Sequence, residues 1–283
     1  MKSNHGQKLI LDLVTHVVLI LGGVMMILPF LWMISTSFKM PADQFSKNLI
    51  PSPVTLQNFI NVWTKLPQGV FPYLVYNSFK ISLLVSIGQL LTCAMGAFAF
   101  AVVRFRGRNL LFTLLMVTLM IPYQVTLIPN FLLFKWTGLL GTQVPLWLPA
   151  FWGGAFGTFL LRQYFLTLPR DLAEAARVDG ASLWQIFWHI YLPNSRPALA
   201  ALTIFTFQGA WNDLLHPLIY LPTDLKKTTL TVGLAFFQQQ LSQGGKFTEL
   251  MAGGLISILP LILVFFIAQK QFIEGIALSG VKR

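Results

Sequence analysis

Charge is scarce in this chain. Only 10% of its 283 residues are charged and the mean hydropathy is +0.68, whereas a soluble globular domain carries about 25% charged residues. So few polar groups cannot cover the surface of a water-soluble protein of this length, so the long apolar runs need lipid as their solvent. Cysteine is nearly absent. The single Cys93 lies in an apolar stretch and excludes an intramolecular disulfide, a cysteine-based zinc site and an iron–sulfur cluster. The four histidines, His5, His16, His189 and His216, form no i,i+4 pair, and there is no phosphate-binding P-loop and no GxSxG elbow. No metal site and no catalytic residues are therefore expected. Acidic residues are few as well: 9 Asp and Glu against 20 Lys and Arg leave a net charge of +11. A nucleic-acid partner would need those cations clustered beside aromatics on a polar surface, and that pattern is missing.

What is present is apolar length. A bilayer core of about 30 Å asks for about 20 apolar residues per helix. Six stretches qualify, at 13–35, 73–103, 110–134, 144–165, 198–221 and 250–269. The first starts behind a basic N-terminus as a signal peptide does, but it exceeds the usual 7–15 apolar residues and no clear cleavage site follows, so it reads as a retained span. With six spans both termini share a side, and the basic residues choose it. Lys2, Lys8, Arg104, Arg106, Arg108, Arg162, Arg170, Arg177, Arg196, Lys270, Lys282 and Arg283 fall on one side. Lys39, Lys47, Lys65, Lys135, Lys226, Lys227 and Lys246 fall on the other. The side with twelve, which holds every arginine, is expected to be cytoplasmic, in a plasma membrane of bacterial type.

Three loops exceed mere connectors. The outer loop 36–72, rich in proline, reads as a mostly irregular cap. The inner loop 166–197 reads as two short helices. Asp171 is placed to cap the first, with Glu174 reaching back and Gly180 ending it; Ser182 and Gln185 repeat the capping-box spacing for the second, and Pro193 with Pro197 closes the segment.

Within that inner loop, Glu174-Ala175-Ala176, then Gly180, Ile190 and Leu192-Pro193 match in residue and spacing the EAA loop of membrane subunits of binding-protein-dependent ABC importers. Asn77-Ser78, Trp211-Asn212-Asp213 and the closing Gly280-Val281-Lys282 extend the likeness over almost the whole chain. The sequence resembles the smaller permease subunit of the maltose and glycerol-3-phosphate branch of carbohydrate uptake. The resemblance implies an all-α membrane protein with six transmembrane helices and a type I importer core. Residues 1–72 form an N-terminal segment with the first helix and an external loop, 73–272 the core including the EAA loop 168–193, and 273–283 a short cytoplasmic tail. It also implies a homologous permease partner, two ATPase subunits carrying ATP and Mg, and an external solute-binding protein; this chain itself holds no cofactor.

On this reading Glu174, Ala175, Ala176, Asp179, Gly180, Ile190, Leu192 and Pro193 couple the chain to an ATPase cleft. The residue types suit that docking role, since the alanines let a helix sit deep in a groove, Gly180 permits the positive φ that ends it, and Glu174 can pair with an ATPase arginine. The alternative is that Glu174 merely serves helix capping. For Gly280, Val281 and Lys282 the resemblance implies contact between the ATPase subunits, against a plain solvated terminus. For Phe236, Phe237 and Gln238, in the outer loop 222–249, the resemblance implies contact with the binding protein through an exposed phenylalanine pair beside Gly244-Gly245, against a plain solvated linkage.

Charge inside hydrocarbon costs about 2.5–3.5 kcal/mol even on lenient scales. Lys80 and Asp213 lie at matched depths, about 10–12 Å below the outer ends of their spans, and are expected either to pair or to share a watery cavity. The alternative is that Lys80 snorkels outward while Asp213 accepts hydrogen bonds from Asn212 or a neighbouring backbone. Asn77, Gln89, Gln124, Asn130, Gln208 and Asn212 can line a sugar-sized path or serve as interhelical hydrogen bonds. The substrate class expected is a sugar or related polyol, with a non-sugar solute on the same fold as the runner-up. A self-sufficient secondary transporter gives no reason for an EAA loop, and a membrane enzyme finds no clustered chemistry here.

Overall fold

The computed structural model describes residues 4–65, 69–221, 224–241 and 246–280, and among them all regular structure is helical. In chain order the helices are α1 (Asn4–Ser37), α2 (Gln57–Thr64), α3 (Phe71–Val102), α4 (Arg108–Val117), α5 (Tyr123–Trp136), α6 (Val144–Trp147), α7 (Ala155–Phe165), α8 (Arg170–Val178), α9 (Leu183–Ile186), α10 (Leu192–Asn194), α11 (Arg196–Trp211), α12 (Leu215–Tyr220), α13 (Leu230–Leu241) and α14 (Phe247–Gly280). Four stretches are long and apolar enough to cross a membrane: Lys8–Ser37, Phe71–Val102, Val144–Phe165 and Phe247–Gln269. A fifth, Arg108–Met120 with Tyr123–Trp136, is bent by 96°. The bend falls at Pro122, whose extended backbone (φ −64°, ψ 134°) and missing N–H break the ladder there. The expected span at 198–221 is not one continuous helix. It divides into α11, of 16 residues, and α12, of 6, at residues 212–214.

The chain groups into two compact units, one of residues 1–69 with 234–258 and one of 70–233 with 259–283. The division therefore differs from a linear one at 72, because residues 234–258 join the N-terminal unit.

In the N-terminal unit, residues 8–34 of α1 contain no buried side chain. Burial begins at Ser35, Thr36 and Ser37. The segment that follows, expected to be an irregular cap, is ordered around α2 by buried amides. Asn58, 1% exposed, donates through Nδ2 to the carbonyls of Ser37 and Lys39 at 2.8 Å each, and its Oδ1 accepts from Thr248 Oγ1 at 3.1 Å. Asn61 Nδ2 donates to Glu249 Oε1 at 2.8 Å. Gln44 Oε1 accepts the backbone N–H of Phe247 at 2.9 Å, which satisfies one of the orphan donors at the start of α14. Lys39 is enclosed as well, its Nζ donating to the Ser46 carbonyl at 2.8 Å.

The larger unit is built on α3. Helices in lipid gain little from apolarity itself, so close approach depends on small residues, and α3 buries Ser78, Ser82, Ser86, Gly88, Ala94 and Ala97. A Cβ at Gly157 of α7 would meet Cys93 Sγ at 2.7 Å and Leu202 Cδ1 at 3.1 Å, so glycine is what lets α7 approach α3 and α11. Gly88 does the same against the Phe151 ring. Thr206 Oγ1 of α11 donates to Ser86 Oγ at 3.2 Å. Asn77 donates through Nδ2 to the carbonyls of Lys226 and Thr228 at 2.9 Å each, and Ser78 Oγ accepts the Leu230 N–H at 2.8 Å. Asn77 is thus spent on holding residues 226–230 against α3, the structural use of such a residue.

Candidate functional site

Two features of the larger unit stand out: an exposed helical elbow at 168–194 and a cavity beside the break between α11 and α12.

The elbow is pinned from one side only. Ala173 of α8 joins Ile186, Phe187 and Tyr191 in a buried cluster with Ala94, Ala97, Phe98, Leu161, Phe165, Ala198 and Leu202, and Ala176, Ile190 and Leu192 pack against it. Tyr191 stands edge-on to Phe98 and Phe165 at 5.1 and 5.3 Å. Burial pushes its phenol above the ordinary value, with Arg177 and Arg170 acting in the opposite sense. The other face is open: Glu174, Ala175, Asp179, Gly180 and Pro193 are exposed, as are Val178 (88%) and Trp184 (58%). The two alanines of the motif therefore differ, since Ala176 faces the protein's own core and Ala175 faces away.

Capping in the elbow is partly as expected. Gly180 has φ +83°, its N–H reaches the Arg177 carbonyl and the Ala181 N–H reaches that of Ala176, so it ends α8 in the left-handed conformation glycine favours. Both halves of the Ser182–Gln185 capping box form. Asp171, however, does not cap α8. Pro169 occupies the cap position with no side-chain bond, and Asp171 lies in the first turn, where its charge favours the helix N-terminus. Nor do the prolines close the segment. Residues 187–191 form a π-helical turn that runs into α10, and Pro197 sits in the first turn of α11, where its missing N–H costs nothing.

The cavity measures about 990 Å³, at the upper end of the roughly 300–1,000 Å³ of small-molecule sites. Its walls are mostly apolar and aromatic, with Gln89, Tyr123, Asn130, Thr137, Thr206, Asp213, His216 and Tyr220 as polar groups. Asp213 Oδ2 lies 2.9 Å from His216 Nδ1, and Oδ1 accepts the His216 backbone N–H at 3.3 Å. The Thr231 hydroxyl donates to the Asp213 carbonyl at 2.6 Å, fixing the loop that carries it. The His216 ring lies 5.2 Å from Tyr123 and 5.8 Å from Tyr220.

Lys80 and Asp213 are not paired. Lys80 Nζ stands over the Tyr76 ring at 5.6 Å, and Asp213 takes His216, three residues along its own chain. Lys80 is also not among the residues lining the cavity. A partner at i+3 is available without ordering two long side chains across helices, which is why the local pair forms. His216 was the residue that sequence reasoning missed; its spacing from Asp213 is the signal that identifies it.

The binding-protein contact residues also differ from expectation. Phe236, Phe237 and Gln238 lie on the helix α13, and Phe237 is 5% exposed, packed near Gly253, so the three do not present an exposed phenylalanine pair. Gly244 and Gly245 lie outside the described residues. Of the tail, Val281 and Lys282 also lie outside them, while Gly280 is the last residue of α14. The stretch from Gly275 to Gly280 is therefore helix, because its run Ile276-Ala277-Leu278 continues the apolar pattern of α14.

Long apolar helices, one of them bent and one divided, beside a largely apolar cavity with a few polar groups, mark a polytopic membrane protein. The profile of the family described as "Binding-protein-dependent transport system inner membrane component" matches residues 90–277. The arabinooligosaccharides transport system permease protein AraQ of Halalkalibacterium halodurans is 36% identical over 261 residues, covering 90% of this chain and 91% of that protein. The lactose transport system permease protein LacG of Rhizobium radiobacter is 33% identical, covering 96% of each. The sn-glycerol-3-phosphate transport system permease protein UgpE of Yersinia enterocolitica is 31% identical, covering 94% of this chain and 96% of that one. Among solved structures, a chain of a bacterial ABC transporter involved in the import of the acidic polysaccharide alginate superposes with a TM-score of 0.79 at 26% identity, over 96% of this chain and 99% of that one. The chain belongs to the binding-protein-dependent transport system inner membrane component family. It is a multi-pass membrane permease subunit of an ABC importer, not an enzyme in its own right.

Proposed function

We propose that the chain is one of two homologous permease subunits that together line the entry path for a sugar or related polyol. An external solute-binding protein delivers the solute, and two separate ATPase subunits, which hold ATP and Mg, drive the cycle. The observation that carries this reading is the 990 Å³ cavity with amide, hydroxyl and aromatic walls in a unit that includes most of the residues matched by the family profile. The relatives named for arabinooligosaccharides and lactose support a saccharide. The relative named for sn-glycerol 3-phosphate keeps a phosphorylated solute as the second reading.

In this reading the chain crosses the bilayer six times, α11 and α12 forming a broken crossing, with both termini cytoplasmic. Glu174, Ala175, Asp179 and Gly180, together with exposed Val178 and Trp184, dock into an ATPase cleft. Ala176, Ile190 and Leu192 hold the elbow to the permease core so that displacement of the docked face is passed on. The helical end at Gly280, followed by Val281 and Lys282, reaches the ATPase pair. α13 meets the binding protein through Gln238 rather than through Phe237. Alternating access follows: ATP binding closes the ATPase pair and opens the path toward the loaded binding protein, and hydrolysis resets it.

Gly180→Leu tests the coupling. A Cβ there meets nothing within 4 Å, so the change acts through its φ of +83° and the new bulk on the docking face, with a backbone cost of about 1–2 kcal/mol. Uptake is expected to fall at least about tenfold, with loss of ATPase co-purification from a permease that still folds. Unchanged uptake and an intact complex in both Gly180→Leu and Glu174→Lys would overturn the assignment.

A further inference from the structure

The acidic group of the cavity is a single carboxylate, paired with a histidine. The described residues that line it include neither lysine nor arginine, and Asp213 is their only carboxylate. Lys80, the cation expected to neutralise it, is turned to Tyr76 instead. The carboxylate is held by His216 at 2.9 Å and is not buried away from the cavity: its side chain keeps 27% of its exposure, and that of His216 keeps 38%. Resting on the reading of this chain as an importer permease, we infer that Asp213 and His216 form a hydroxyl-recognising subsite on this subunit, selecting neutral saccharides over phosphorylated or uronic solutes.

The chemistry follows from the donor inventory. A carboxylate accepts from two oxygens with about four lone-pair sites, and His216 and its own backbone N–H occupy only part of that capacity. Sugar hydroxyls are donors that can fill the remainder, and a hydrogen bond to an ionised acceptor is about twice as strong as a neutral one. With Nδ1 engaged by Asp213, Nε2 is the ring's remaining polar atom, available to a second hydroxyl. The rings of Tyr123 and Tyr220 flank His216 and offer apolar faces to the C–H surface of a pyranose or furanose. An anionic solute meets the opposite situation. Its charge would approach Asp213 in a partly desolvated space whose described walls hold neither lysine nor arginine, and like-charge repulsion grows as the surrounding dielectric falls. The discrimination expected is about tenfold or more, equal to about 1.4 kcal/mol.

Gly209 supplies a reporter, because it lines the cavity and a Cβ there meets nothing within 4 Å, while the native Cys93 is fully buried. In the full transporter, with its partner permease and ATPase subunits in nanodiscs and no binding protein, Gly209→Cys is alkylated by a neutral maleimide. Arabinotriose, lactose, sn-glycerol 3-phosphate and digalacturonate are added in turn. At least one neutral saccharide should slow alkylation, and neither anion should do so at tenfold higher concentration. Asp213→Asn should raise the saccharide concentration needed about tenfold, His216→Gln should raise it less, and Asp213→Lys should let the anions protect. Equal protection by anions and saccharides, protection unaltered by Asp213→Asn, or no protection by any solute would overturn the subsite. Uptake by the same variants reconstituted in proteoliposomes with the binding protein, together with ATPase co-purification, separates that result from failure of the importer reading: a complex that transports but shows none of these effects refutes the subsite alone.

Discussion

Helices α1 and α3 are of nearly equal length and both apolar enough to span a bilayer, yet they are built for different neighbours. No residue from 8 to 34 of α1 is buried, and most of the exposed side chains are Leu, Ile, Val and Met, with Phe30 and Trp32 among them. Along α3 the buried positions are largely Ser, Ala, Gly and Asn, while Tyr76, Phe79, Leu83 and Leu91 stay exposed. On α1 large apolar side chains face outward throughout, whereas α3 meets its neighbours largely through small or hydrogen-bonding residues set among a few large apolar ones. Where lipid is the solvent, a leucine gains little by turning inward, and helices associate through close packing and polar bonds.

The contrast can be tested at three levels. The largest effect is expected from Gly157→Leu. The first added carbon already overlaps Cys93 and Leu202, and overpacking of this kind costs about 3 kcal/mol or more; thermal unfolding in detergent should show loss of the folded species. A wild-type unfolding curve would mean that α7 does not need its close approach to α3. Next comes Asn77→Leu, which keeps the branched shape at somewhat greater volume but orphans the Lys226 and Thr228 carbonyls. The expected loss is about 1–2 kcal/mol, read as a lower unfolding midpoint and faster proteolysis at residues 226–228. The smallest is Leu19→Ala on α1, where a side chain 67% exposed is shortened. Stability should change by under about 0.5 kcal/mol, and a loss as large as that of Asn77→Leu would show that α1 is packed against protein.

These differences also explain what could be read from the residues alone. Apolar length located four spans and a bent fifth, because the bilayer imposes a length that single residues cannot disguise. Length alone does not show the division of 198–221; Pro217 does, since it has no N–H for the Asp213 carbonyl four residues back, which takes the Thr231 hydroxyl instead. The elbow was legible through Gly180 and the Ser182–Gln185 box, which are local signals. Its anchoring by Ala173, Phe187 and Tyr191 was not, because that depends on which face meets α3 and α7. The same limit applied to Lys80 and Asp213. Matched depth is a weak constraint, whereas the Asp213–His216 pair is settled by a single helical turn.

The connection between elbow and cavity has a mechanical consequence. Helix α11 leaves the aromatic cluster that holds the elbow, where Ala198 and Leu202 are buried, and ends at Trp211, two residues before Asp213. Its 16 residues, at about 1.5 Å each, make a strut about 24 Å long. Tilting such a strut by about 5° about its cluster end carries the far end about 2 Å, more than the distance over which a hydrogen bond forms or fails. A small rotation at one end is thus converted into making or breaking contacts at the other, with the rigid helix setting the gain.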